Sequence, residues 1–319
     1  MRTNLWLIIP CYNEEEILEY SMGEIHGLME GLLRRDLISD ASRIVLVDDG
    51  SKDKTWNLIK NRCRNDSMFH GIKLSRNQGH QNALLAGMMY ACGKCDCVIT
   101  LDADLQDDIN MIPEFVDKFK EGYHVVYGVR SSRGTDTGFK KNTAAFFYKL
   151  MNFLGAETVD DHADYRLMSD KALHALKEYK EINLFLRGIV PLLGFASTKV
   201  FYERKERIAG ETKYPLKKMI SFALDGITSF SVKPLRVISV LGVMCSGLSV
   251  LGLLYALISY FANVAVPGWT AIVCSIWLLG GIQLLCLGVV GEYIGKIFAE
   301  VKQRPRYIVE EIVGGDITE

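Results

Sequence analysis

Apolar and polar positions alternate in blocks along the first part of the chain. Near-continuous apolar runs of β type occupy Leu5–Ile9, Ile44–Val47, Gly71–Leu74, Cys97–Leu101 and His124–Tyr127. Between them, apolar residues recur at helical spacing over Glu14–Leu33, Lys54–Asn65, Gln81–Ala91 and Ile109–Glu121. Strand and helix in alternation, with strands apolar on both faces, predict an α/β domain built on an open, mostly parallel sheet covered on both sides. Such sheets bind ligands at the carboxyl ends of their strands. The polar residues collect there: "PCYNEEE", "DDGSKDKT", "SRNQGHQNA", "DADLQDD" and "GVRSSRG" follow the successive strands.

Farther along, the pattern changes. Phe139–Leu154 reads as an amphipathic helix, and Tyr214–Phe230 as a second one suited to lie at a membrane surface. Val237–Ala262 and Trp269–Val290 carry no charge, and each exceeds the ~20 residues that cross a hydrocarbon core, which predicts two membrane spans. The loop between them, "NVAVPGW", has no Lys or Arg, whereas Lys217, Lys218, Lys233 and Arg236 precede the first span and Lys296, Lys302, Arg304 and Arg306 follow the second. The positive-inside rule then puts the N-terminal domain in the cytoplasm. Tyr255, Tyr260, Trp269 and Tyr293 are candidate interfacial anchors; Gly242, Ser246, Gly291 and Gly295 permit close helix approach and suggest a homo-oligomer. The expected partition is 1–213 for the catalytic-type domain, 214–236 for an interfacial helix, 237–290 for the two spans and 291–319 for a cytoplasmic C-terminal helix and tail. "LWLIIP" is too short and too soon polar for a secretory leader.

Charge narrows the function. With 37 basic and 38 acidic residues among 319, the chain lacks the basic excess of a nucleic-acid binder. Its eight cysteines are irregularly spaced and fit reduced thiols in a cytosol-facing protein, not a disulfide framework. Cys92, Cys95 and Cys97 form C-x-x-C-x-C, but the sequence shows no matching Cys or His set, so a helix end leading into a strand is preferred to a zinc site.

The densest chemistry lies in "ITLDADLQDD", where Asp102, Asp104, Asp107 and Asp108 follow an apolar strand. Carboxylates this close raise one another's pKa unless a cation balances them. Asp102 and Asp104, on alternate positions where the chain leaves the strand, offer an all-oxygen site for Mg²⁺ or Mn²⁺ carrying a diphosphate. Asp107 and Asp108 read as first-turn acids favoured by the next helix dipole. Pro10, Tyr12 and Glu14 at one strand end, and Val47, Asp48 and Asp49 at the next, suit a base and ribose. Neither G-x-x-x-x-G-K-[ST] nor G-x-G-x-x-G occurs.

In order and spacing, "IPCYNEEE", "VDDGSKDKT" and "LDADLQDD" resemble the GT-A glycosyltransferases of family 2, over roughly the first 215 residues. "GVRSSRG", "ADYRLMS" and "ERKERIAGETKY" followed by two spans are similar to the polyprenyl-phosphate branch, which includes bactoprenol glucosyltransferases and is related to dolichyl-phosphate mannose synthase. The resemblance implies a GT-A fold. Pro10, Tyr12, Glu14, Val47 and Asp49 would hold the nucleotide; Asp102, Ala103 and Asp104 the metal and diphosphate. Gln106 would lie near the donor sugar, and Arg130, Arg207 and Lys213 would meet the phosphates. Thr212 stands where relatives commonly have Ser. Asp164 is open between a catalytic base, a positioning group for sugar or acceptor, and a helix cap or partner of Arg166.

The implied reaction is metal-dependent, inverting hexosyl transfer from a nucleotide sugar, UDP-glucose by default, to polyprenyl (undecaprenyl) phosphate at the cytoplasmic face of a bacterial inner membrane. The competing readings are a processive polysaccharide synthase, which lacks support because no Q-x-x-R-W occurs, and a non-catalytic nucleotide-sugar-binding membrane protein.

Overall fold

A computed structural model describes residues 2–130, 162–182, 185–203, 233–261 and 268–315. These fall into two compact units, a sheet domain that takes in residues 304–315 and a pair of long helices. The expected helices Phe139–Leu154 and Tyr214–Phe230, and the residues Arg207 and Lys213, lie outside the described residues.

In the sheet domain, β1 (Leu5–Cys11), α1 (Leu18–Arg34), β2 (Arg43–Asp48), α2 (Thr55–Asn65), β3 (Phe69–Leu74), α3 (His80–Ala91), β4 (Cys97–Thr100), α4 (Ile112–Lys120) and β5 (Val125–Arg130) follow the predicted alternation. Then come β6 (His162–Ser169), α5 (Asp170–Lys177), α6 (Leu186–Leu192) and β7 (Ser197–Tyr202). The eight-stranded sheet runs β7-β5-β6-β4-β1-β2-β3-β8, with β8 being Val309–Val313. The β4-β1-β2-β3 centre is parallel, while β6 runs antiparallel between β4 and β5. β1 is buried along its whole length, as expected of a strand covered on both faces. On one face α1 packs Leu18, Met22, Ile25, Met29 and Leu32 into the core, at the i, i+4, i+7 spacing of one helical stripe. On the other, α3 crosses β1 so closely that a Cβ on Gly87 would sit 2.3 Å from the Ile8 Cγ2 methyl.

The sheet ends differ from the sequence-based expectation. The sequence leads one to expect a separate C-terminal helix and tail over 291–319. Instead the second long helix continues unbroken to Val301, because no Pro or capping signal interrupts it before Pro305. The chain then adds β8 antiparallel to β3. Glu311 accepts from Trp56 Nε1 at 3.1 Å and meets Lys60 at 2.6 Å, while Glu310 meets Lys73. An otherwise open edge is thereby covered.

The second unit consists of α7 (Lys233–Phe261) and α8 (Trp269–Val301). Pro234–Gly252 and Leu278–Val301 are long and apolar enough to cross a membrane. Almost none of their surface is buried, and Val243, Leu284 and Val301 are each more than 70% exposed. These are candidate membrane-spanning helices, not core helices of a water-soluble fold.

Candidate active site

The loops after β1 and β2 are laced together through side chains. Asn13 (φ +53) takes a hydrogen bond from Lys52 N–H at 2.9 Å, and its own N–H donates to Ser51 Oγ at 3.0 Å. The Glu14 N–H donates to Thr55 Oγ1 at 2.9 Å. Tyr12, at the start of this loop, is 41% exposed. Cys11 lies opposite Asp48 and its carbonyl accepts from the Asp49 N–H at 2.9 Å, so the loop carrying Tyr12 and Glu14 leaves β1 next to the end of β2. Val47 does not face that space: it is fully buried, and its methyls lie against Gly87 of α3. Only its backbone borders the strand end.

Asp48 and Asp49 are both buried, and burial pushes both carboxyls up. Asp48 accepts from Ser51 N–H at 3.3 Å. Asp49 accepts from the backbone N–H groups of Gln78 at 2.7 Å and Gly79 at 2.9 Å. Asp49 therefore fixes the loop that leads into α3. Gly50 completes the joint: its φ is +67°, and a Cβ there would meet the Arg76 carbonyl carbon at 2.5 Å.

Beyond β4, the segment Asp102–Asp108 folds back on itself. Ser21 of α1 donates to the Ala103 carbonyl at 2.6 Å, which pins the loop from below. Gln106 is buried and reaches back to Asp104, with Nε2 at 2.7 Å from Oδ2. Asp102 is pushed up to about 6, first by desolvation, then by the charges of Asp107, Asp164 and Asp104, with His80 opposing. Closely set carboxylate oxygen donors fit a hard divalent cation such as Mg²⁺ or Mn²⁺. Asp102 and Asp104 would be its ligands.

Asp107 departs from expectation. The sequence suggests a first-turn acid beside Asp108. Asp108 does cap a short 3₁₀ turn, accepting from Asn110 N–H at 3.3 Å. Asp107 is buried instead, taking Tyr202 Oη–H at 2.5 Å and Arg130 Nη2 at 3.3 Å. Arg130 is thus held at the site by a buried counter-ion that arrives with the acidic run itself.

Asp164 lies in β6, not at a helix cap. Its Oδ1 accepts from Arg166 Nη2 at 2.5 Å and Arg187 Nε at 3.3 Å, and its Oδ2 from Arg187 Nη2 at 3.0 Å. Burial opposes ionisation here, but the two guanidinium groups outweigh it and hold the carboxyl well below the usual range. Thr100 of β4 donates to the Asp164 backbone carbonyl, tying the two strands together just below their acids. His80, the first residue of α3, stands between the acids, with Nε2 3.5 Å from Asp102 Oδ1 and 3.7 Å from Asp164 Oδ2.

Sequence reasoning missed Arg187, His80 and Gln81. Arg187 projects from α6, whose first residue, Leu186, donates its N–H to Gln81 Oε1 at 2.9 Å. The available signal was a lone cation inside the apolar stretch "NLFLRGIVPLL", which needs either water or a counter-ion.

Residues 6–177 match the family described as glycosyl transferase family 2, and residues 233–297 match a GtrB C-terminal hairpin. An uncharacterized glycosyltransferase, YkoT of Bacillus subtilis, is 50% identical over 96% of this chain and 91% of its own length. The SfII prophage-derived bactoprenol glucosyl transferase of Shigella flexneri is 38% identical over 96% of this chain and 97% of its own. A prophage bactoprenol glucosyl transferase homolog of Escherichia coli is 37% identical over 96% and 98%. Among solved structures, the mannosyltransferase PcManGT of Pyrobaculum calidifontis aligns with a TM-score of 0.46 at 15% identity, over 92% of this chain and 88% of that one. The acids at the strand ends, the family match over the sheet domain and the matched hairpin over α7 and α8 together show that the chain belongs to glycosyl transferase family 2, in the group that joins a GT-A domain to a GtrB C-terminal hairpin.

Proposed function

We propose that the protein transfers a hexose from a nucleotide sugar, with UDP-glucose the favoured donor, to polyprenyl phosphate, inverting the anomeric centre at the cytoplasmic face of the membrane. The observation that carries this reading is the pair of facing acid sites, just past β4 and near the start of β6, on a chain whose full-length relatives include bactoprenol glucosyl transferases.

Pro10, Tyr12 and Glu14 would flank the base and ribose, while Asp49 and Gly50 hold the loops in register. A divalent cation between Asp102 and Asp104 would supply positive charge to the departing diphosphate. Gln106, fixed by Asp104, borders the sugar. Arg130 and Arg187 add guanidinium charge that is already oriented by Asp107 and Asp164. Arg207 and Lys213 are proposed to meet the remaining phosphates.

One phosphate oxygen of the acceptor forms a bond to the anomeric carbon as the carbon–oxygen bond to the diphosphate breaks. The bonding pair leaves with the nucleoside diphosphate. A phosphate monoester has a second pKa of ~6, so the nucleophile is already mostly dianionic near neutrality and needs no strong base. Asp164 accordingly acts as a positioning residue: both of its oxygens are engaged by arginines. The α7–α8 hairpin would keep the domain at the bilayer, where the acceptor resides.

The test is a transfer assay with full-length protein, radiolabelled UDP-glucose and undecaprenyl phosphate. Label is expected in an organic-extractable lipid carrying the inverted linkage. Nucleotide-sugar binding with no labelled lipid under any donor would refute catalysis and leave a binding protein.

A further inference from the structure

The C-x-x-C segment finds partners that spacing alone did not reveal. After α3, Cys92 and Gly93 (φ +80) turn the chain toward β4. β6 runs antiparallel to β4, with Ser169 opposite Cys97, so α5 begins directly over that turn. The Asp170 N–H donates to the Asp96 carbonyl at 2.8 Å. In return, Gly93 N–H donates to Asp170 Oδ1 at 2.6 Å. His174 follows one helical turn later and places Nδ1 3.0 Å from the Asp170 backbone carbonyl, 3.3 Å from Asp170 Oδ2 and 3.5 Å from Cys92 Sγ. A thiol, an imidazole and a carboxylate thus offer ligand atoms within 4.8 Å of one another.

This cluster lies at the start of β4, whereas Asp102 lies past its end, so the two are separate sites on one strand. Their chemistry differs as well. Asp102 and Asp104 present oxygen alone, suited to Mg²⁺ or Mn²⁺; a Cys–His–Asp set suits a softer ion, above all Zn²⁺. Asp170 is oriented in advance, because Gly93 N–H fixes one carboxylate oxygen and leaves the other toward His174 and Cys92. Such outer hydrogen bonds are the usual means of aiming a ligand. Cys95 points its thiol at the Ala91 carbonyl and is not needed as a ligand.

We propose that Cys92, Asp170 and His174 form a zinc site with one coordination position left to solvent, stapling the turn before β4 to the first turn of α5. It would brace the amino end of the β4–β6 pair whose opposite ends carry Asp102 and Asp164.

The test uses full-length protein stripped with chelator and titrated with Co²⁺ alone. Wild type should develop a thiolate-to-cobalt charge-transfer band at about one equivalent. Cys92→Ser should lose the band. His174→Ala, at an exposed position that tolerates substitution, should bind at least ~10-fold more weakly. Asp102→Asn should keep the band, since that site has no sulfur. Zn²⁺ should bleach it and raise the melting temperature of wild type but not of Cys92→Ser. No band in wild type, or a band that persists in Cys92→Ser as an adventitious ion would give, overturns the proposal.

Discussion

Two carboxylates face one another across His80, and they are built in opposite ways. Asp102, just past β4, is pushed up to about 6, first by desolvation and then by the charges of Asp107, Asp164 and Asp104, against the opposing charge of His80. Asp164, on the adjacent strand, is clamped by Arg166 and Arg187 and held well below the normal range. One acid is short of positive charge, and the other carries its counter-ions with it. The contrast separates two tasks that share the word acidic. In the proposed reading, the first group would receive a cation from outside, and the second would keep two guanidinium groups rigid for incoming phosphate charge. Low dielectric at the site amplifies both effects, so neither acid can stand in for the other.

The largest expected effect comes from removing the cation-seeking side. Asp102→Ala combined with Asp104→Ala should lower kcat/KM by ~10³-fold or more, and EDTA should abolish transfer until Mg²⁺ or Mn²⁺ is restored. Unchanged turnover in either experiment would break the assignment. On the other side, the main loss should be stability. Asp164→Leu strands the fully buried Arg166 without its counter-charge, which costs ~3 kcal/mol and a melting-point drop on the order of 10 °C by thermal unfolding. Residual activity of that variant should keep the wild-type metal requirement. A shifted metal requirement would mean that the two acids form a single site.

The same contrast explains what could be read from the chain. β1 to β4 are short, near-continuous apolar runs ended by turn residues, and the sheet centre was legible from them. β6 was not, because "HADYRLMS" puts Asp164 and Arg166 inside a strand, and such charges look exposed until their pairing is known. β8 was missed for a different reason: "VEEIV" is short, and its Glu310 meets Lys73 across 237 residues of sequence. In the site, Asp102 and Asp104 announce themselves because unbalanced acids stand out locally. Arg187 and His80 do not, since their partners come from other strands. Asp107 shows the limit most clearly. Its neighbours in sequence suggested a helix-dipole role, and only the fold brings Arg130 and Tyr202 to it.

Asp107 also sharpens the comparison, since it sits in the metal-type acidic run but is satisfied like Asp164. Tyr202→Phe should remove a short hydrogen bond to a buried carboxylate and cost ~1.5–2 kcal/mol, seen as a lower melting temperature with the metal requirement intact.

The finest discrimination is Arg187→Lys. Lysine keeps the charge but loses the planar fork that spans both oxygens of Asp164. If Arg187 serves only to neutralise Asp164, a lysine ammonium suffices and kinetics stay close to wild type. If the fork is aimed by Asp164 at acceptor phosphate, the acceptor KM should rise ~10-fold, about 1.4 kcal/mol, while the donor KM and the metal dependence stay unchanged. Steady-state kinetics with each substrate varied in turn decides between them. A rise confined to the donor KM would instead place Arg187 at the departing diphosphate, on the same side as the metal site.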